Sequence, residues 1–271
     1  MKLSLALLGN LLFASAVFAA PSGAERRARR ALARGSKPFI AAPGSSEGTE
    51  TNATHVDYST NWSGVVLTTA PAGATFTAVS ATFNVPTPTP SSSGSGTWSG
   101  SAWVGIDGYN TDNIWQSGFD FTVTRSSSGS LSYSYDAWYE WYPAYAEDFS
   151  GISFSAGDQV SVSIVTTSSS KGSVVLENLT TGTTVKKTVS SSSTLSGENA
   201  EWIVEAYESS GSQVKLAKFN PITFSSAVAK TSAGQSESMT GADTIDMETS
   251  SGTIITSVTI ESGSEAVVKY V

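Results

Sequence analysis

The segment AEWIVEAYE, residues 200–208, contains carboxylates that could carry out acid–base chemistry. Alternate side chains of a β-strand face opposite ways, so one face of this segment carries Ala200, Trp202, Val204 and Ala206, an ordinary core set. The opposite face carries Glu201 and Glu205 beside Ile203 and Tyr207. Two acids among bulky apolar groups either belong to a solvated outer face or include a catalytic acid–base group.

Composition narrows the chemistry further. The chain has 271 residues, no Cys and one His, so a thiol nucleophile, a thiolate metal site and a disulfide framework are excluded. With His55 as the single histidine, a His-rich metal site is not expected, and we predict no metal and no cofactor. Acid–base chemistry near or below neutral pH therefore falls on Asp and Glu. The Asp-Thr-Gly and Asp-Ser-Gly turns of aspartic peptidases do not occur.

Three further segments combine acids or an amide with aromatic rings on one strand face: SAWVGIDG (101–108), DNIWQSGFDF (112–121) and YDAWYEWYP (135–143). An exposed strand face would normally carry Ser, Thr and Lys. Rings supply apolar area and carboxylates fix orientation, so such faces suit a groove that binds a polymer. Alternation assigns to these faces Trp103, Gly105, Asp107, Ile114, Gln116, Gly118, Asp120, Asp136, Trp138, Glu140 and Tyr142.

The elements that carry these segments are predicted to be β-strands throughout. Alternating or β-branched runs recur at TAVSATFNVP (77–86), DQVSVSIV (158–165), GTIITSVTIES (252–262) and SEAVVKYV (264–271). Ser-rich tracts separate such runs, and we interpret those tracts as hairpin loops. Many short strands between turn signals indicate an all-β sandwich or barrel, here one domain over residues 54–271.

The N-terminal segments predict secretion and processing. Lys2 followed by a long apolar run and the small-residue site Val17-x-Ala19 indicates a signal peptide over residues 1–19. Residues 20–53 include the basic run ERRARRALARGSK, whereas residues 54–271 hold 8 basic and 20 acidic residues, a formal charge of −12. This leader is either a disordered basic tail or a removable propeptide that docks by charge and inhibits the domain. Its position after a signal peptide and its dibasic pairs favour the propeptide.

Seven motifs in order resemble the glutamic peptidases, or eqolisins, which are acid endopeptidases secreted by fungi. They are NWSGVV (61–66), VSATFNVP (79–86), SAWVGIDG (101–108), IWQSGFDF (114–121), YDAWYEWYP (135–143), LENLTTG (176–182) and GENAEWIVE (197–205). The resemblance covers essentially the whole of residues 54–271. It implies a lectin-like sandwich of two large antiparallel sheets with the active site on the concave face. Some members carry disulfides, which this chain, having no Cys, cannot form.

The resemblance also implies roles for individual residues. Gln116 and Glu201 would form the catalytic pair, with Glu201 as general base and then acid toward an attacking water and Gln116 as the oxyanion donor. Glu205 would be a supporting residue or a surface acid. The cleft residues that bind substrate would be Trp103, Asp107, Asp120, Asp136, Trp138, Glu140 and Tyr142.

Two other functions suit the same pattern. A glycoside hydrolase also places two carboxylates in a cleft, and a non-catalytic glycan-binding module could use the same sandwich. The basic leader argues against the binding module, which has little need of a removable inhibitor. We therefore expect a secreted, monomeric acid endopeptidase whose partners are polypeptide substrates and its own propeptide, with no nucleic acid and no membrane partner.

Overall fold

The computed structural model describes residues 34–43 and 55–271. The predicted signal peptide and the first part of the basic run lie outside these residues. Nineteen strands and no helix occur in the two described ranges. They are β1 (Arg34–Gly35), β2 (Val56–Ser59), β3 (Trp62–Leu67), β4 (Phe76–Asn84), β5 (Gly96–Ile106), β6 (Ile114–Arg125), β7 (Leu131–Tyr142), β8 (Glu147–Asp148), β9 (Gln159–Ser168), β10 (Lys171–Asn178), β11 (Thr183–Ser190), β12 (Ala200–Glu205), β13 (Glu208–Ser209), β14 (Ser212–Gln213), β15 (Ile222–Thr231), β16 (Ser236–Glu237), β17 (Asp243–Met247), β18 (Thr256–Ser262) and β19 (Glu265–Tyr270).

The strands form two eight-stranded sheets and one small sheet. The front sheet has the order β2-β17-β3-β12-β5-β6-β7-β8, and the back sheet has the order β11-β10-β9-β4-β15-β19-β18 with β16 beside β15. The predicted all-β sandwich is confirmed. One detail differs from a purely antiparallel arrangement, because β17 pairs with β2 in parallel.

The core lies between the two sheets and is built from the inward faces that alternation predicts. Phe83 of the back sheet stacks on Phe119 of the front sheet with ring centroids 5.4 Å apart, and Phe83 also contacts Phe224. Trp202 adds an indole N–H donated to the carbonyl of Ser80, 3.0 Å away. Burial of each large ring here stabilises the fold by on the order of 2–3 kcal/mol, because the ring is removed from water. Packing against the back sheet thus stabilises the front sheet.

The Ser-rich tracts divide into two kinds of connection. Residues 126–130 and 169–170 join neighbouring antiparallel strands and are hairpin turns as predicted. The tracts at 87–95 and 191–199 instead carry the chain from the back sheet to the front sheet, so the hairpin interpretation of those two is wrong. Turn composition marks where a strand ends, whereas sheet membership depends on pairing with distant strands.

Residues 34–43 of the leader pack against the outer face of the front sheet. Arg34–Gly35 forms β1 and pairs antiparallel with β13, which pairs with β14, so the leader adds the third strand to a small sheet. Within the described parts of the chain no helix is long and apolar enough to cross a membrane.

Candidate active site

Three rows of side chains cross the outer face of the front sheet, the face turned away from the core. Strands pair in a register that aligns residues of β3, β12, β5, β6 and β7, and neighbours along a row lie on strands about 4.8 Å apart. Taken from β3 to β7, the first row is Val66, Glu201, Gly105, Gln116 and Glu140, the middle row is Gly64, Ile203, Trp103, Gly118 and Trp138, and the third row is Trp62, Glu205, Ser101, Asp120 and Asp136.

The first row brings together the two residues of the predicted catalytic pair. Glu201 is paired with Gly105, and Gly105 is paired with Gln116. The residue between the two in this row is therefore a glycine, which has no side chain. A Cβ at position 105 would overlap Glu201 Oε1 and lie 2.7 Å from Trp103 Cζ3, which shows that the Glu201 carboxyl leans over this backbone. The glycine therefore leaves the space above β5 open between an acid and an amide.

Glu201 is completely buried, and neither of its carboxyl oxygens has a hydrogen-bond partner among the described residues. Burial raises the pKa of Glu201 well above the ordinary range of a glutamate, and the charge of Asp107 acts in the same direction. The amide of Gln116 donates from Nε2 to Glu140 Oε2 at 3.4 Å, while Gln116 Oε1 has no partner within the described part of the chain. The Glu201 carboxyl therefore has no hydrogen-bond partner within the described part of the chain, and both of its oxygens could bind a reactant that enters the site.

Asp107 holds the loop that leads into β12. Its Oδ2 accepts the backbone N–H groups of Ser196 and Gly197 at 2.7 and 2.8 Å, and its Oδ1 accepts those of Glu198 and Asn199 at 2.7 and 3.3 Å. Its φ of 68° is left-handed, a conformation that Asp tolerates better than most residues. Asp107 thus fixes the residues just before Glu201, a role different from the predicted contact with substrate.

A pocket of acids and rings on this face holds Arg34 of the leader. The guanidinium donates from Nε to both oxygens of Asp120, at 3.1 and 2.9 Å, and from Nη1 to Glu140 at 3.1 Å. Its central carbon lies 3.6 Å from the ring centroid of Trp138 and 4.8 Å from that of Tyr207. Burial alone would lower the pKa of Arg34, but Asp120 and Glu140 outweigh it and raise the pKa, so the group stays charged.

Ser36 of the leader bridges two buried glutamates. Its N–H donates to both Glu140 oxygens at 3.2 Å, and its hydroxyl donates to Glu205 Oε2 at 2.8 Å, where the Trp103 indole N–H also donates at 3.0 Å. Burial raises the pKa of Glu140 to about 7 and that of Glu205 to about 8, although Arg34 and Ser36 oppose the shift. Charge pairing is therefore only part of this contact, because the N–H and the hydroxyl of Ser36 also bind the two glutamates.

The structure places the remaining predicted cleft residues as follows. Trp103 and Trp138 are buried and form the apolar base of the face. Asp136 lines the groove that holds Arg34, and Tyr142 lines the groove beside residues 35–37. Glu205, expected to be a supporting or surface acid, is buried under the leader and hydrogen-bonded there.

Sequence reasoning named Asp120, Trp138 and Glu140 but did not identify the leader residues that contact them, nor Asn61, which binds Ile40 of the leader. For Arg34 the sequence did contain an indication, because this residue belongs to the basic run that precedes an acidic domain. Asn61 lies inside a quoted motif, but nothing in its sequence context distinguishes it from a glycosylation triplet. Within residues 34–43 and 55–271, no group of three or more His, Cys, Asp or Glu side chains could hold a metal ion.

The acidic and aromatic face with the leader strand across it lies on a β-sandwich, and the chain belongs to the Peptidase A4 family, whose sequence model matches residues 60–270. It is 41% identical to Aspergillopepsin-2 of Aspergillus niger over an alignment of 297 positions that covers all of both chains. It is 42% identical to Scytalidopepsin B of Scytalidium lignicola over 249 positions, 86% of each chain.

The crystal structure of scytalido-glutamic peptidase with a transition state analog inhibitor superposes with a TM-score of 0.67 and 38% identity. The match covers 78% of this chain and 98% of that one. The protein is therefore a glutamic-type peptidase, a hydrolase. This membership favours the peptidase expectation over the glycoside hydrolase and the glycan-binding module.

Proposed function

We propose that the protein is a secreted acid endopeptidase that hydrolyses peptide bonds by direct attack of water, with Glu201 and Gln116 as its catalytic pair. The observation that carries the proposal is the first row, in which an unpartnered carboxyl and a carboxamide face one another across Gly105. Secretion rests on the signal-peptide pattern of residues 1–19.

The chemistry follows from the two functional groups. Ionised Glu201 takes a proton from water as the water oxygen adds to the scissile carbonyl, and the carbonyl oxygen becomes an oxyanion. The Gln116 amide donates a hydrogen bond to that oxyanion, a role it keeps at any pH because it does not titrate. Protonated Glu201 then gives its proton to the leaving nitrogen as the carbon–nitrogen bond breaks, and the carboxylate is restored.

We further propose that the leader keeps the enzyme inactive until it is removed. Residues 34–43 lie on the outer face of the front sheet, where Arg34 and Ser36 bind Asp120, Glu140 and Glu205. On the same face Glu201 is completely buried, and its raised pKa favours the protonated form, which cannot act as a general base. The leader would therefore exclude substrate from a face whose base is in the wrong protonation state.

Three variants of leader-free protein test the catalytic assignment. We expect Glu201→Gln to lower kcat/KM on an acid-denatured protein by about 10³-fold or more, since it removes the base and acid. Gln116→Ala should lose about 10²–10³-fold through the missing oxyanion donor. Glu205→Gln is the matched control, because it alters a buried glutamate four residues away on the same strand face.

The assay should run at roughly pH 3 to 5, where ordinary carboxylates titrate, with a polysaccharide substrate in parallel. A larger loss for Glu205→Gln than for Glu201→Gln would reverse the assignment of the base. Hydrolysis of the polysaccharide in place of the protein would overturn the peptidase proposal itself.

A further inference from the structure

The part of the leader beyond Ser36 is bound through its main chain. Eight hydrogen bonds hold the backbone of residues 37–42, and every one uses a carbonyl or an N–H of the leader. The N–H of Lys37 donates to Glu205 Oε1 at 3.2 Å. Asn61 Nδ2 donates to the carbonyls of Lys37 (3.3 Å) and Pro38 (3.1 Å), Asn61 Oδ1 accepts the N–H of Ile40 (3.0 Å), Thr60 N–H and Ser59 Oγ donate to the carbonyl of Ile40 (3.0 and 2.9 Å), the N–H of Phe39 donates to Gly108 (2.9 Å), and the N–H of Ala42 donates to Tyr58 (2.9 Å).

The side chains of this part of the leader contribute less. Ile40 is 45% exposed, and the Lys37 side chain is 40% exposed with its ammonium 3.5 Å from Glu208. Phe39 is the exception, since its ring packs on Trp62 and Tyr109. Main-chain groups are the same in every residue except proline, so these contacts do not depend on which sequence lies there.

Asn61 is the side chain at the centre of this contact. It is 3% exposed, and its amide presents two donors and an acceptor, the groups that match the carbonyls and N–H of an extended peptide. Ser59 Oγ also donates to Asn61 Oδ1 at 2.9 Å, which fixes the orientation of the amide. Asn61-Trp62-Ser63 is a glycosylation triplet, but burial and two occupied Nδ2 contacts leave no room for a glycan in this fold.

We propose that Asn61 binds the main chain of the polypeptide substrate once the leader has gone, at a site remote from the cleaved bond. The inference rests on the proposed peptidase function and adds to it a class of substrate, long extended polypeptides. The main-chain carbonyl of Asn61 accepts the N–H of Ala206, which lies five residues beyond Glu201. Because a strand rises by about 3.3 Å per residue, Asn61 lies about 16 Å from Glu201. A substrate must therefore continue for about five residues past the reacting bond to reach Asn61.

The test compares two peptides that share the same central cleaved sequence, one of about six residues and one extended by about six residues at each end. Leader-free wild type should cleave the long peptide with a kcat/KM at least about tenfold higher, through a lower KM. Asn61→Ala should bring the ratio of the two kcat/KM values close to one. Asn61→Asp, which keeps the shape and the acceptor, serves as a second variant should the alanine variant unfold.

Two controls separate recognition from folding and glycosylation. Ser63→Ala removes the triplet and leaves Asn61 in place, so the wild-type ratio should remain. Asn178→Ala changes another buried asparagine of a triplet, which donates to Ser153 and Asp158 beside the back sheet, and it should keep the ratio even if it lowers Tm. Loss of the ratio in either control would assign the effect to the sugar or to general stability.

A binding measurement gives a second readout. A peptide of residues 34–43 that is N-methylated at Ile40 loses the N–H donated to Asn61 and should bind leader-free protein at least about tenfold more weakly, whereas an Ile40→Thr peptide should bind within about twofold. If wild type cleaves both substrate peptides equally well, or if the N-methylated peptide binds as well as its parent, the inference is wrong. If wild type cleaves neither peptide, the proposed peptidase function has failed instead.

Discussion

The front and back sheets share a strand number and an alternating pattern, yet their outward faces differ. On β9 of the back sheet the outward residues include Ser161 and Ser163, which remain in contact with solvent. On β12 of the front sheet the outward residues Glu201, Ile203 and Glu205 are completely buried. The same alternation therefore supports a solvated surface in one sheet and a covered site in the other, and acids placed among rings distinguish the two.

The difference has an energetic basis. A serine hydroxyl that faces water loses little hydration on folding, whereas burial of a carboxyl disfavours its charged form. The front sheet carries this cost at Glu201, Glu140 and Glu205, and burial raises the pKa of each. The inward faces of both sheets share one core, so stability built behind the front sheet supports an unfavourable arrangement on its outer face.

The largest effect should come from the bare backbone in the first row. Gly105→Ala places a methyl group against the Glu201 carboxyl and Trp103, so we expect kcat/KM on a protein substrate to fall by about 10³-fold. Ser101→Ala, on the same face of β5, is the control and should cost little. The Gly105→Ala variant should still unfold cooperatively and still bind the 34–43 peptide. If this variant instead turns over substrate as fast as wild type, the space above Gly105 is not where hydrolysis occurs.

The next effect concerns the loop before β12. Asp107→Asn keeps a residue that tolerates the left-handed φ of 68° but replaces one acceptor oxygen with an N–H₂ group that faces backbone donors. We expect the free energy of unfolding to drop by about 2–3 kcal/mol, measured by urea denaturation. A change below about 0.5 kcal/mol would show that the four N–H contacts do not hold the loop.

A smaller effect is a pH dependence of leader binding. In the docked state burial raises the pKa of Glu140 to about 7 and of Glu205 to about 8. We expect both groups to return toward their ordinary range once the leader leaves and water reaches them, so the docked state holds more protons between these limits. Docking is therefore favoured at the lower end of this window and weakens as pH rises through about 7 and 8. Titrating the 34–43 peptide into leader-free Glu201→Gln protein should give about tenfold weaker binding at pH 8 than at pH 5.

Adding Glu205→Gln to that protein removes one of the titrating groups and should flatten the curve. Binding that strengthens steadily from pH 5 to pH 8 would instead mean that ion pairing with Arg34 dominates over burial.

The smallest effect belongs to the back sheet. Glu177→Gln alters a partly exposed carboxyl on β10, and we expect the free energy of unfolding to change by less than about 0.5 kcal/mol, with unaltered kcat/KM. Denaturation and a standard assay check this together. A strong loss of activity would show that the two outward faces are not functionally separate.

Alternation alone predicted which side chains share a face, because a period of two follows from the strand backbone itself. It could not align Glu201 with Gly105 and Gln116, since register between strands so far apart in sequence depends on the whole sheet. The pair came from the family resemblance. The position of the leader was equally hidden, because the backbone groups that bind Asn61 occur in nearly every residue. At Asp107 the alternation argument fails locally, because it assumes an extended strand backbone. The left-handed φ of Asp107 turns its carboxylate toward the loop at 196–199.

Gly105 also has a consequence for how this fold can change over evolutionary time. Every other amino acid has a Cβ, and at this position the Cβ would collide with Glu201 and Trp103. A single codon change there would leave intact the acids that hold Arg34, the main-chain contacts around Asn61 and the whole core. If Glu201 and Asn61 have the roles proposed above, the product would bind polypeptides without cutting them. A peptide-binding protein would then be one mutation away from this peptidase, and reversion at the same codon would restore the hydrolase.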